Sequence, residues 1–236
     1  MSSHRTIGPD GPHRWRTDSA GPPPESIPRL LDRILATAAD HPALPWPADD
    51  RMSFGELAGA AGAVAHALAA ITKPGARVAI RSTLSPEWVI LHYACALSGR
   101  IAAPFDPAWT DDEVRQAAEL STPAVAFTGP ASTGGTALHG VPARELAALR
   151  EWAWAAPTAG LPEIRATDPY LIRFTSGART ATVLSQCAAL DAARAATGID
   201  VWPNPSPYQR LSDLCHVVLG GLVHAAGAVR SGAGSG

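Results

Sequence analysis

The side chains that could carry chemistry gather around one short polar turn. Thr175, Ser176 and Gly177 end an apolar run, and Arg179 and Thr180 follow directly. The nucleophile and base candidates near that turn are Ser176, Cys187, Cys215 and His216. Adjacent residues on a helix point about 100° apart, so Cys215 and His216 cannot easily face one another as a nucleophile–base pair. Lys73 is the only lysine in the chain, so any step that needs a lysine has one candidate. Asp106 and the group Asp111, Asp112 and Glu113 read as turn and helix-start charges favoured by the helix dipole, not as a carboxylate pair. There is no GxSxG elbow, HExxH helix, zinc-spaced Cys/His set or GxGxxG fingerprint.

The elements that must position these residues are legible in the periodicity. Residues 1–25, rich in Pro, Gly, Ser and His, read as a disordered tail. Ile27, Leu30, Leu31, Ile34 and Leu35 repeat at three and four residues, as on one face of a helix. Ser53 with Glu56 forms a capping box that opens a helix reaching Ile71. Strands are expected at 77–80, 101–104, 124–127 and 170–174. Helices are expected at 86–97, where Pro86 opens and Gly99 stops the run, from Thr110 onward, and at 141–154, 185–197 and 213–226. Val229 could begin a further strand, and 230–236 reads as a flexible tail. Repeated β-α-β units with fully apolar strands predict an α/β fold, a parallel-rich sheet flanked by helices, spanning 26–229.

Composition narrows the function classes. Hydrophobic residues make up 46% and charged residues 17%, ordinary for a globular chain. A formal net charge of −2 with scattered basic residues gives no concentrated basic face, so no nucleic-acid partner is expected. No run is expected to reach the ~18 apolar residues that a membrane span requires, and the N-terminus lacks the apolar region of a secretory signal. Cys95, Cys187 and Cys215 form no CxxC pair and read as reduced structural thiols, which places the protein in the cytoplasm.

Taken in order, several segments carry a family pattern. Met52-Ser-Phe-Gly-Glu-Leu57 resembles "tyr-x-glu-leu", and Lys73-Pro-Gly-Ala-Arg-Val78 resembles "pro-gly-asp-arg-val". Leu84-Ser-Pro-Glu-Trp-Val89 matches "asn-ser-pro-glu-trp", and Ser98 to Pro107 matches "ala-gly-ala-val-x-val-pro-leu-asp-pro". Together they resemble the N-terminal part of the adenylate-forming superfamily, which includes acyl-CoA synthetases, luciferases and peptide-synthetase adenylation domains. In that family a loop "thr-ser-gly-thr-thr-gly-x-pro-lys-gly" wraps the ATP phosphates with backbone N–H groups, hydroxyls and a lysine. Here Thr175-Ser176-Gly177 reproduces the start. The remainder, Ala178-Arg179-Thr180-Ala181-Thr182-Val183-Leu184-Ser185-Gln186, is about three residues shorter and lacks the later glycines, proline and lysine. The resemblance implies nucleotide contacts at Thr175, Ser176, Gly177, Arg179 and Thr180, with Arg179 the substitute cation.

Beyond the loop, the stretch from Pro207 to Val229 resembles "pro-leu-phe-his-x-x-gly-leu-x-x-leu-x-x-ala-gly-ala-x-val". The resemblance implies that this helix lines an acyl pocket with His216 near the substrate carboxylate, which makes His216 and Ser176 acid/base candidates. The family's adenine-binding turn, ribose-binding aspartate and lysine-bearing lid match nothing in these 236 residues. The expectation is therefore a truncated, ligase-like protein that does not adenylate by itself. It would hold an acyl or aryl carboxylate or thioester, assign no cofactor, and not bind ATP and Mg²⁺ in the family manner. Its chemistry would be ATP-independent, within specialised metabolism. The alternative is a non-catalytic partner or scaffold, a pseudoenzyme, that buries an uncovered sheet edge as a homodimer or against another protein.

Overall fold

The computed structural model describes residues 4–6, 24–43, 52–129, 137–174, 180–196 and 211–232. In chain order the elements are β1 (His4–Thr6), α1 (Ile27–Ala38), α2 (Phe54–Ile71), β2 (Arg77–Arg81), α3 (Pro86–Ser98), β3 (Ile101–Phe105), α4 (Asp111–Ser121) and β4 (Val125–Thr128). They continue with β5 (Ala137–Leu138), β6 (Val141–Glu145), α5 (Leu149–Ala155), β7 (Pro169–Phe174), β8 (Ala181–Ser185), α6 (Gln186–Ala195) and α7 (Leu211–Gly232).

Helix starts follow local chemistry. The Ser53 hydroxyl accepts from Glu56 N–H at 3.2 Å while the Glu56 carboxylate accepts from Ser53 N–H at 2.8 Å, and Thr110 with Glu113 repeats this box on α4. Ser85 caps α3 through Trp88 N–H at 3.2 Å, with Pro86 in the first turn. Gly99 ends α3 at φ +69°, a left-handed conformation that would strain a side chain.

The strand order is β1-β8-β7-β3-β2-β4-β6-β5. The inner strands β7, β3, β2, β4 and β6 run parallel, while β8, β1 and β5 pair antiparallel at the two ends. From β2 the chain steps to β3 through α3 on one face, then crosses back to β4 through α4 on the other. Opposite faces for opposite directions give both crossovers the same hand. The larger core lies on the α3 side, where α1, α2, α5, α6 and α7 also pack around Trp88, Tyr93, Tyr170, Phe54 and Phe127. The smaller core joins α4 to Ala79, Ala103, Phe105, Ile172 and Phe174.

Several segments depart from the sequence expectation. The helix expected over 141–154 is a strand, β6, then a 3₁₀ turn and the short α5. Parallel pairing of Ala126 with Ala143 overrides the helical spacing of Leu146, Leu149 and Ala153 there. Residues 181–185, read as part of the shortened loop, form β8. α7 continues through Val229 and Arg230, so no strand begins at Val229. Within the N-terminal segment taken as a tail, His4–Thr6 is a strand whose ladder partners on β8 supply the hydrogen bonds it lacks alone. The fold class, an α/β parallel-rich sheet flanked by helices, is as expected.

One correction concerns α2. Over its 18 residues the mean hydropathy is 1.4, so by length and composition it is apolar enough to cross a membrane. Seven of its residues, Phe54, Leu57, Ala61, Val64, Ala65, Ala67 and Leu68, are buried in the core. The sequence reading missed it because small alanine and glycine residues dilute the stripe of larger apolar side chains.

Candidate acyl and phosphate site

β7 and β8 form an antiparallel hairpin whose last ladder pair is Phe174 with Ala181. Residues 175–180 are therefore all that joins the two strands. Thr175, Ser176, Gly177 and Arg179 lie outside the described residues, whereas Thr180 is described and exposed. The backbone of His216 lies in α7, next to Cys215, and its side chain is outside the described residues.

The strand leading into the loop is held on both faces. On the α4 face Phe174 meets Phe105 edge-on at 5.3 Å and Trp109 at 5.6 Å. Arg81 donates to the Trp109 carbonyl at 3.1 Å, which ties this aromatic group to the end of β2. Nearby, a Cβ on Gly129 would fall 2.2 Å from the Ser82 hydroxyl, so β2 and β4 end in a contact that only glycine permits. Asp106 accepts from Ala108 N–H at 2.9 Å and shapes the turn after β3, as expected of a turn charge.

On the opposite face the hairpin meets α3, α6 and α7. Tyr170, Tyr93, Cys95 and Cys215 are all buried there, and the Tyr170 hydroxyl has no hydrogen-bond partner among the described residues. Burial raises the Tyr93, Cys95 and Tyr170 pKa values, and for Tyr170 the neighbouring Cys215, Tyr93 and Cys95 add to the rise. Burial pushes the Cys215 thiol up to about 12, against a smaller opposing pull from Arg173. Cys95 and Cys215 thus remain protonated thiols and serve as packing groups, in line with the structural reading of them. Cys187 is half-buried with Sγ 3.2 Å from the Ser185 hydroxyl.

Sequence reasoning singled out neither Gln186 nor Arg173. Gln186 is fully buried at the start of α6. Its Oε1 accepts from Ile27 N–H and its Nε2 donates to the Ala96 carbonyl, each at 3.2 Å, so it locks α1 to α3. Gln186→Leu should lower the unfolding free energy in urea by about 2 kcal/mol, because it strands a buried N–H and a buried carbonyl. Unchanged stability would refute that bridging role. Arg173 did leave a signal: it is the one charge inside the strand Tyr-Leu-Ile-Arg-Phe.

The β7–β8 hairpin thus sits one strand in from the sheet edge, with the apolar α7 packed on the same side as α3 and α6. The family profile described as AMP-binding enzyme matches residues 31–180, and the chain belongs to that family. No curated protein matches the chain. Among solved structures, a Mycobacterium tuberculosis fatty acyl CoA synthetase is similar over 84% of this chain and 43% of its own, at 23% identity and a TM-score of 0.68. The N-terminal domain of FACL13 from the same organism has 22% identity and a TM-score of 0.68, covering 84% of this chain and 55% of its own. The N-terminal subdomain of Klebsiella oxytoca NpsA, solved with 3-hydroxyanthranilyl-AMSN, has 19% identity and a TM-score of 0.58 over 73% and 42%. At these identities the likeness shows the fold. This chain spans 31% to 55% of the lengths of such relatives.

Proposed function

We propose that this chain binds an acyl or aryl carboxylic acid, or its thioester, between the β7–β8 hairpin and α7, and that it does not adenylate that acid unaided. The observation that carries the second part is the hairpin itself. Its ladder runs out to Phe174 and Ala181, leaving only residues 175–180 to reach a triphosphate. That connection has no glycine after Gly177 and no lysine, which removes the close backbone approach and the cation on which the family loop depends. These residues do not fit ATP with Mg²⁺ in the family manner. ATP-independent chemistry on the bound acid or thioester is what remains, with Ser176 and His216 as proton-transfer groups, in the setting of specialised metabolism.

Isothermal titration of the full chain with ATP and with a panel of acyl and aryl acids tests this. Heat on adding acids and none on adding ATP is expected. Saturable ATP binding would overturn the non-adenylating part, and silence with every acid would overturn the pocket. In a turnover assay, retained activity in both Ser176→Ala and His216→Ala would remove those residues from the mechanism.

A second reading, a non-catalytic partner or scaffold, draws on Trp154, which is 90% exposed at the end of α5. It requires a homodimer or a protein partner. A monomer by light scattering, with no captured partner, would count against it.

A further inference from the structure

Arg173 is the arginine whose surroundings the fold does not explain. Among the described residues the other buried or half-buried arginines each make at least one hydrogen bond or ion pair, although Nε of Arg77 and of Arg81 is also without a hydrogen-bond partner there. Arg77 donates to Thr122, Arg81 to the Trp109 carbonyl, Arg100 to Thr72 and the Ser98 carbonyl, and Arg194 pairs with Asp191 and Glu25. Arg173 is half-buried, its Nε is shut off from solvent, and its guanidinium has no hydrogen-bond or ion-pair partner among the described residues. A buried N–H donor left without a partner costs free energy in a folded chain.

Its placement says what could answer it. Side chains alternate along β7: Ile172 and Phe174 join the core on the α4 side, whereas Leu171 joins the core on the α7 side, and Arg173 follows Leu171 on that face. Its cross-strand partner is Thr182, and the next pair inward, Leu171 with Leu184, is apolar. The face therefore changes from apolar to polar toward the loop, over one step of the ladder. The Arg173 guanidinium also lowers the pKa of Cys215 on α7, against the larger effect of burial, as expected of a charge on that face.

We infer that Arg173 is the anion anchor of the acid pocket, its guanidinium taking the two oxygens of a substrate carboxylate whose hydrocarbon body lies toward α7. The inference rests on the acid-binding reading above. It gives that reading a fixed charge which needs neither the loop nor a lysine, because a planar guanidinium pairs with carboxylate through two parallel N–H bonds.

The test uses the full chain and five probes, benzoate, octanoate, their uncharged amides and pyrophosphate, with wild type, Arg173→Gln and Arg173→Lys. Each variant is first matched to wild type by thermal melting. The expected result is that Arg173→Gln binds both acids about tenfold or more weakly while amide binding stays level, with Arg173→Lys between. A role in folding alone would not move the acid-to-amide ratio. Acid binding by Arg173→Gln within about twofold of wild type would overturn the assignment and leave the pocket standing. Loss of pyrophosphate binding in that variant, with acid binding intact, would overturn it in favour of a phosphate contact. A wild type that binds neither acids nor amides would overturn the pocket and the anchor together.

Discussion

Gly221→Ala should destabilise the protein by about 3 kcal/mol, although alanine replaces glycine inside a helix. In an open helix that exchange stabilises by roughly 1 kcal/mol, because glycine loses more backbone freedom on folding. Here a Cβ at position 221 would lie 2.0 Å from the Ala43 carbonyl oxygen and 3.8 Å from the Phe54 ring. The oxygen cannot move aside. Ala43 N–H donates to the Met52 carbonyl at 2.8 Å and Phe54 N–H to the His41 carbonyl at 3.0 Å, which clamp residues 41–43 against the start of α2. The added methyl must push α7 away from Ala43 and Phe54, and with it the turn that carries Cys215 and His216. Gly227 in the same helix has nothing within 4 Å of the place an alanine methyl would occupy, so Gly227→Ala should be neutral or slightly stabilising. Urea denaturation of the two variants decides the matter, and equal effects at both positions would refute the tight contact. Weaker acid binding in Gly221→Ala, beyond what its stability predicts, would link that contact to the pocket.

Lowering the pH from 7 to 4 should remove about 3 kcal/mol of stability through His92 alone. His92 is fully buried on α3, its ring 4.0 Å from Trp88, and Nδ1 lies 2.9 Å from the Trp88 carbonyl. A carbonyl only accepts, so Nδ1 carries the proton and Nε2 presents a bare lone pair that meets no donor among the described residues. Protonating Nε2 would place a charge in the core, and burial lowers the pKa from 6.5 to about 4. The folded pKa lies below the unfolded one, so between these values the unfolded chain binds more protons than the folded one. Stability is therefore complete above pH 6.5, falls as pH drops towards 4, and levels off below that. His92→Leu should flatten this part of the curve, measured as unfolding free energy in urea at steps from about pH 7.5 to 4. An unchanged slope in the variant would show that other groups carry the acid sensitivity.

How much of the candidate site could be read beforehand depended on range. The Ser53 and Thr110 capping boxes, the Ser85-Pro86 helix start and the Gly99 stop are local. Their hydrogen bonds close within three or four residues, so the side chains that make them stand together in the chain. Thr175-Ser176-Gly177 reads from the sequence as a turn after an apolar strand, and it lies outside the described residues. β8 was not legible, because Ala181–Ser185 becomes a strand through pairing with β7 on one side and β1 on the other. Gln186 carried no signal of its own in the sequence, and only the fold shows it joining Ile27 to Ala96 across the core.

The feature that ties sequence to function is the turn between β7 and β8. Sequence alone determined its residue types: two hydroxyls and one glycine at 175–177, then no lysine and no further glycine before the next strand, since residue types do not change on folding. Sequence alone also determined the α/β class, because apolar strands alternating with capped helices bury their faces in few ways. The tertiary structure decided how many residues join the two strands, by carrying the ladder to Phe174 and Ala181. It also decided that Arg173, one charge in an apolar strand, faces α7 without a partner among the described residues. Which face a residue takes, and what waits there, is fixed by strand register and by helices distant in the chain, and no local pattern encodes either.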